Sequence, residues 1–334
     1  MDLTALQDAV ARAGTVVASG SRTHEHVGDP VVADAVTVRA PAGVVRYEPA
    51  DMTITVGAGT SFAELREVLA DAGQECPLDP RDERATVGGV LACGLSGVRR
   101  LRHGPVRDHV LEVRVVLGDG RVVKGGGPTV KNVTGYDLPR LYVGSLGTLG
   151  VIAQLTLRCR PLPAVSRWFR APGPPPAATR PSAVLWDGER VEVCFEGSPA
   201  DVEEQARGMY ECEPPRLPAG AHRGRVSIAP TAIRGLGAAL GCVPGLHWCA
   251  ELGVGTVHVA SDDVASLLAA RDAAHAHGGW LLREHGAEGV PAFGRPLPNL
   301  DLVRRVKDAF DPDHKFAPGR LPLGPAAAAR GAVP

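Results

Sequence analysis

Val130–Ile152 reads Val-Lys-Asn-Val-Thr-Gly-Tyr-Asp-Leu-Pro-Arg-Leu-Tyr-Val-Gly-Ser-Leu-Gly-Thr-Leu-Gly-Val-Ile. Glycines fall at 135, 144, 147 and 150 among large apolar residues, and the stretch runs into a β-like segment, Val151–Leu157. Glycine permits positive φ and close backbone approach. Four of them beside a buried strand describe a chain path pressed against another backbone or a flat ligand.

Outward from that stretch, 334 residues exceed what one hydrophobic core organises, so two domains are expected. With 44% hydrophobic and 22% charged residues the chain reads as a soluble globular protein. A net charge of -1 offers no basic stripe and excludes a nucleic-acid partner. No apolar run reaches the roughly 18–20 residues of a membrane helix, which argues against direct membrane insertion. Met1–Gly14 has an acidic amphipathic helix pattern rather than that of a signal peptide. Cytoplasmic residence is expected, with contact to the inner face of the membrane only through partners. The seven cysteines are scattered and contain no Cys-x-x-Cys, against a disulfide framework, a zinc site or an iron–sulfur cluster on this chain.

A short strand over Thr15–Ala18 leads into Ser19-Gly20-Ser21-Arg22-Thr23. Consecutive amides in such a turn can form an anion-binding nest for a phosphate, and the same residues also suit a polar surface turn. His24 and His26 lack a completing cluster and read as exposed loop residues. Strands are expected at Val36–Arg39, Val44–Pro49 and Thr53–Val56, then a helix over Phe62–Ala72 with Ser61 and Glu64 as a capping box. Gly57-Ala58-Gly59-Thr60 is not Gly-x-Gly-x-x-Gly, so a Rossmann fingerprint is unsupported. Ala85–Gly97 is a cluster of small residues in which amides near Thr86, Gly88 and Gly89 could meet a pyrophosphate. Ser96 and Gly97 could lie against a ring face. A strand over Leu111–Leu117 turns at Gly118-Asp119-Gly120 into Val122–Lys124.

Gly57–Thr60, Gly73-Gln74, Ala85–Gly89, Lys131–Leu138 and Gly144–Gly150 occur in order, and Phe310-Asp311-Pro312 to Pro318-Gly319-Arg320-Leu321 follows near the end. Together they resemble the PCMH-type FAD-binding domain of the vanillyl-alcohol-oxidase-like flavoproteins, a family that includes the FAD-binding subunits of bacterial glycolate oxidases. The resemblance implies an α+β fold: an FAD-binding domain of two α+β subdomains with a smaller α+β cap. It implies an extended, non-covalent FAD. Ser19, Gly20, Ser21, Arg22 and Thr23 match the family's first pyrophosphate loop; Thr86, Gly88 and Gly89 match the second. Ser96 and Gly97 fall where the family approaches the flavin, and Val151 or Ile152 where a backbone group meets the cofactor. Tyr136, Asp137 and Arg320 are further polar groups placed near the flavin. The first loop has fewer glycines than the family's, and Ala317 stands where the family has asparagine. His103 lies near the region of a covalent flavin histidine, without the supporting pattern.

The expected domains are 1–160 for FAD binding (subdomains 1–50 and 51–160), a proline-rich linker at 161–181, a cap at 182–290, a returning segment at 291–323 and a disordered tail at 324–334. His258 and His285 are more readily structural than pocket residues. The His-x-Gly-Asp-Gly-Asn-x-His metal motif of the related D-lactate dehydrogenases is absent, so no metal is expected and no catalytic base is visible. The resemblance implies an FAD-dependent oxidoreductase subunit that takes electrons from a 2-hydroxy acid such as glycolate. Its partners would be a second FAD-linked glycolate oxidase subunit and an iron–sulfur subunit. A self-contained 2-hydroxy acid oxidase or dehydrogenase and an FAD-free scaffold are the alternatives.

Overall fold

Val151–Arg158 is β-branched and apolar almost throughout, and it becomes the central strand of a five-stranded antiparallel sheet. In this computed structural model, which describes residues 1–323 except Ala33, 128–136 and 174–178, the sheet order is Val44–Glu48, Thr53–Gly57, Val151–Arg158, Val110–Val116 and Val122–Gly126. Strand alternation divides its side chains. Ile54, Val56, Val113 and Leu155 pack with Leu65 and Leu69 of the helix Phe62–Asp71 and with Val90 and Leu91 of the helix Val87–Cys93. Val116, Val151 and Ala153 pack on the other side with Leu6 and Val10 of the helix Thr4–Arg12. The expected capping serine is present, since Ser61 Oγ accepts the Glu64 amide at 3.1 Å.

A second sheet has eight antiparallel strands in the order Tyr210–Cys212, Val165–Ala171, Val191–Gly197, Ala183–Trp186, His247–Glu251, Thr256–Ser261, His222–Ser227 and Trp280–His285. One face is apolar. Val226, Val257, Val259 and Leu281 bury against the helices Ile233–Gly241 and Val264–Ala276, while Val193 and Phe195 bury against Pro199–Gln205. The other face carries Ser166, Trp168, Cys194, Arg225 and His258 toward the first sheet's domain. The fold is α+β, as expected.

Three expectations change. The supposed linker 161–181 contains the strand Val165–Ala171, whose residues pair with Val191–Gly197 across seven positions. Prolines 161, 163 and 172 bracket a strand there rather than compose a spacer. Val87–Cys93, expected as a loop, is a short helix capped by Thr86. The helix Ile233–Gly241 has no counterpart in the expected elements, because Gly235, Gly237 and Gly241 interrupt its pattern. Of the opening stretch, Val130–Tyr136, with Gly135 and the near-flavin candidate Tyr136, lies outside the described residues, as does the tail 324–334.

The chain end returns to the beginning. Phe316 bridges Val16 in parallel, Val16 N donates to Lys315 O at 2.8 Å, and Ala317 N donates to Val16 O at 2.7 Å. Lys307 Nζ donates to Thr148 O and Phe316 O and pairs with Asp311, holding this return in place.

Candidate functional site

A cavity of about 960 Å³ runs along the seam between the loop after Val16–Ala18, the start of the helix Val87–Cys93 and the glycines before Val151. Ser19, Gly20, Ser21, Arg22 and Thr23 line one side; Thr86, Gly88, Gly89 and Ile152 line the other. Ser19 N donates to Val38 O at 3.0 Å, the last sheet-like bond of its strand. Beyond it, the amides of Gly20, Ser21, Arg22 and Thr23 have no acceptor among the described residues. Arg22 sits at φ 64°, so a left-handed residue turns these amides along the loop. Such a run of free N–H groups suits a phosphate. A Cβ on Gly20 would stand 2.3 Å from Thr86 Oγ1, so the two loops touch here and only glycine fits.

The second loop acts differently from expectation. Val87 N donates to Thr60 O and Gly88 N to Ala58 O, each at 2.8 Å, and Gly89 N donates to Thr86 Oγ1 at 3.2 Å. Those amides are used by the protein. A Cβ on Gly88 would meet Ala58 Cβ at 2.7 Å, so that glycine serves helix-to-strand packing. Val151 and Ile152 separate by alternation: Ile152 lines the cavity, while Val151 is buried with Leu6 and Val10. Arg320 also lines the cavity and donates from Nη1 to Glu25 O at 2.7 Å and Val27 O at 3.2 Å. Asp137 caps Arg140 N at 3.3 Å and lines neither cavity.

A second cavity of about 830 Å³ adjoins the first, sharing Thr23, His24 and Val27. Ser96 and Gly97 line it, facing the polar side of the eight-stranded sheet. His24, expected as an exposed loop residue, is half-buried at this junction, and burial lowers its pKa. His26 is half-buried as well, edge-on to His285 with centroids 4.5 Å apart. Arg225 donates from Nε to Glu284 at 2.7 Å and from Nη1 to Ser96 O at 2.8 Å, joining the eight-stranded sheet to the loop after Val87–Cys93. Glu284 is held below the usual carboxylate range because its guanidinium neighbours outweigh burial, which acts the other way. Arg81 and Arg223 line the same cavity without a carboxylate partner among the described residues. Arg223 Nε is buried with no acceptor, and burial pulls Arg81 below its ordinary value.

Arg99 closes the floor. It grips Asp79 through Nε and Nη2 at 2.8 and 2.7 Å, and its Nη1 reaches Glu75 at 2.9 Å and Glu196 at 2.7 Å. His103 Nε2 lies 2.9 Å from Glu196 and its Nδ1 faces Arg160, so this imidazole belongs to the ion-pair junction between the sheets and lines neither cavity. Beside the arginines, His258 Nε2 lies 2.7 Å from Glu251 Oε1, both groups buried. Arg81, Arg223, Arg225, Glu251 and Glu284 were not marked by the sequence. Their only signal is alternation in Arg223-Gly-Arg225-Val, which predicts a charged sheet face but not what it faces.

Residues 2–126 match the FAD binding domain family. That segment resembles an FAD-binding domain of the PCMH type, which supports FAD as the cofactor, and the relatives it matches are oxidases and dehydrogenases. Glycolate oxidase subunit GlcE of Escherichia coli (strain K12) is 40% identical over 170 residues, 50% of this chain and 49% of that protein. D-lactate dehydrogenase of Archaeoglobus fulgidus is 45% identical over 105 residues, 31% of this chain and 24% of that one. Glycolate oxidase subunit GlcD of Bacillus subtilis is 33% identical over 129 residues, 38% and 27% of the two chains. The chain thus spans about half the length of the first of these relatives and about a quarter of the others. The structure of alkyldihydroxyacetonephosphate synthase superposes with a TM-score of 0.66 over 93% of this chain and 74% of that one, at 15% identity, a likeness of fold. With FAD as cofactor, the FAD-free scaffold is set aside. No helix among the described residues is long and apolar enough to cross a membrane.

Proposed function

We propose that this chain is the FAD-binding subunit of a glycolate-oxidase-like complex, oxidising a 2-hydroxy acid and passing the electrons to an iron–sulfur partner. FAD, held non-covalently, would supply the two-electron acceptor. The observation that carries this proposal is that the two cavities adjoin, with Thr23, His24 and Val27 lining both, and differ in the chemistry of their walls. The free amides of Gly20–Thr23 fit a diphosphate, and Gly20, lacking a Cβ, lets this loop close against Thr86. At the far end, Arg81, which donates to Pro218 O, and Arg223 stand in no ion pair among the described residues and suit a small carboxylate. Guanidinium groups bind carboxylates through two parallel hydrogen bonds. On this reading the cap begins at the strand Val165–Ala171, ahead of residue 182, and its polar face roofs the substrate end.

The presence of a cationic pocket on this chain also favours a second reading, a self-contained 2-hydroxy acid dehydrogenase. Absorption spectroscopy of the FAD-loaded chain separates the two. Bleaching of the flavin band by glycolate or D-lactate only when partner subunits are added supports the complex; bleaching by the chain alone supports the self-contained enzyme. No bleaching under either condition defeats both.

A further inference from the structure

We infer that His258, oriented by Glu251, is the proton acceptor for the ligand hydroxyl in the second cavity. This inference rests on the 2-hydroxy acid reading. His258 lies on the strand Thr256–Ser261, 1% exposed, with Val257 and Val259 turned to the opposite, helix-covered face. It lines the cavity that holds Arg81 and Arg223. Its Nε2 is 2.7 Å from Glu251 Oε1, whereas its Nδ1 is buried with no partner among the described residues. A buried imidazole nitrogen left without a partner is unfavourable, and a bound hydroxyl would supply that partner. The carboxylate on one nitrogen and an open position on the other form the arrangement by which a carboxylate fixes an imidazole tautomer.

Burial keeps the free imidazole neutral, so Nδ1 can present a lone pair, and an anionic ligand facing it would raise its affinity for a proton. Burial pushes Glu251 up to about 7 and lowers His258 well below the imidazole range. The charged groups facing the pair are Arg225, Glu284 and Arg81 around His258, and Arg225, Arg100 and Glu284 around Glu251. Above about pH 7 Glu251 is a carboxylate that accepts the Nε2 proton, and Nδ1 presents a lone pair. Below it the carboxyl proton is donated to Nε2, and Nδ1 then carries the hydrogen and cannot accept another. In the reaction, the hydroxyl O–H bond breaks and its proton goes to Nδ1. Bound FAD would supply the acceptor for the hydride of the adjacent C–H bond, which would leave the 2-hydroxy acid as the 2-oxo acid.

The test is calorimetric titration of the FAD-loaded full chain with oxalate at pH 8, in buffers of differing ionisation enthalpy. Oxalate offers one carboxylate to Arg81 and Arg223 and a second anionic oxygen where the hydroxyl would stand. Wild type is expected to take up about one proton per oxalate bound. His258→Asn and the conservative Glu251→Gln are expected to bind oxalate with that uptake abolished and reduced, respectively. Binding with unchanged proton uptake in His258→Asn overturns the assignment of His258 while leaving the 2-hydroxy acid site standing. Failure of wild type to bind oxalate overturns both.

Discussion

The two cavities are built from different materials. The first is made of backbone: free amides at Gly20–Thr23, a glycine against Thr86, and the glycines ahead of Val151. The second is made of long charged side chains projected from a sheet face, held by Arg225–Glu284 and by the Arg99 junction. On the proposed reading the backbone cradle would meet the FAD diphosphate, and the side-chain pocket, which can be retuned strand by strand, would carry the substrate preference.

Breaking the ion-pair junction under the second cavity should have the largest effect. Arg99→Ala leaves Glu75, Asp79 and Glu196 without their guanidinium, and removing one partner of a buried charge network costs about 3–5 kcal/mol. Denaturant unfolding should show that loss; a midpoint within error of wild type would mean the junction is not a structural tie. Gly20→Val should weaken FAD binding by on the order of 100-fold by driving a side chain into Thr86 and displacing the amides. Flavin fluorescence titration measures it, and the fold should persist by circular dichroism. Arg223→Ala should spare FAD binding while weakening oxalate about 10- to 100-fold, the range for a hydrogen bond to a charged group. Equal losses for both ligands would erase the distinction between the cavities.

The pH dependence acts on the second cavity alone. Glu251 is raised by burial, so it gains its proton as pH falls through about 7 and the accepting form of His258 is lost. Turnover of the 2-hydroxy acid should therefore rise with pH through that value, by about tenfold per unit on the acid side, and Glu251→Gln should flatten the profile. The smallest effect concerns Arg22, whose side chain is 68% exposed and pairs with Glu25. Because its place in the nest is a matter of φ, Arg22→Gly should change FAD affinity by less than about threefold, measured in the same fluorescence titration.

The same division explains what was legible in the sequence. Ser19–Thr23 and Thr86–Gly89 could be marked because small residues after a strand announce a local backbone shape. The amide assignment at Gly88 was missed because its acceptor, Ala58 O, lies 30 residues away and only folding brings it there. Likewise, Val165–Ala171 was hidden by flanking prolines although its strand pattern is intact. Arg223, His258 and Glu251 belong to three separate strands with no shared motif, and sheet order sets those strands side by side. The empty Nδ1 of His258 is likewise a tertiary fact.

The most direct measurement is a flavin absorption spectrum of one preparation titrated with FAD and then with oxalate. If the cavities form one continuous site, FAD binds with a resolved flavin band and oxalate then shifts that band in wild type but far less in Arg223→Ala. A flavin band that ignores oxalate at saturating concentration, or that shifts equally in the variant, would contradict the account.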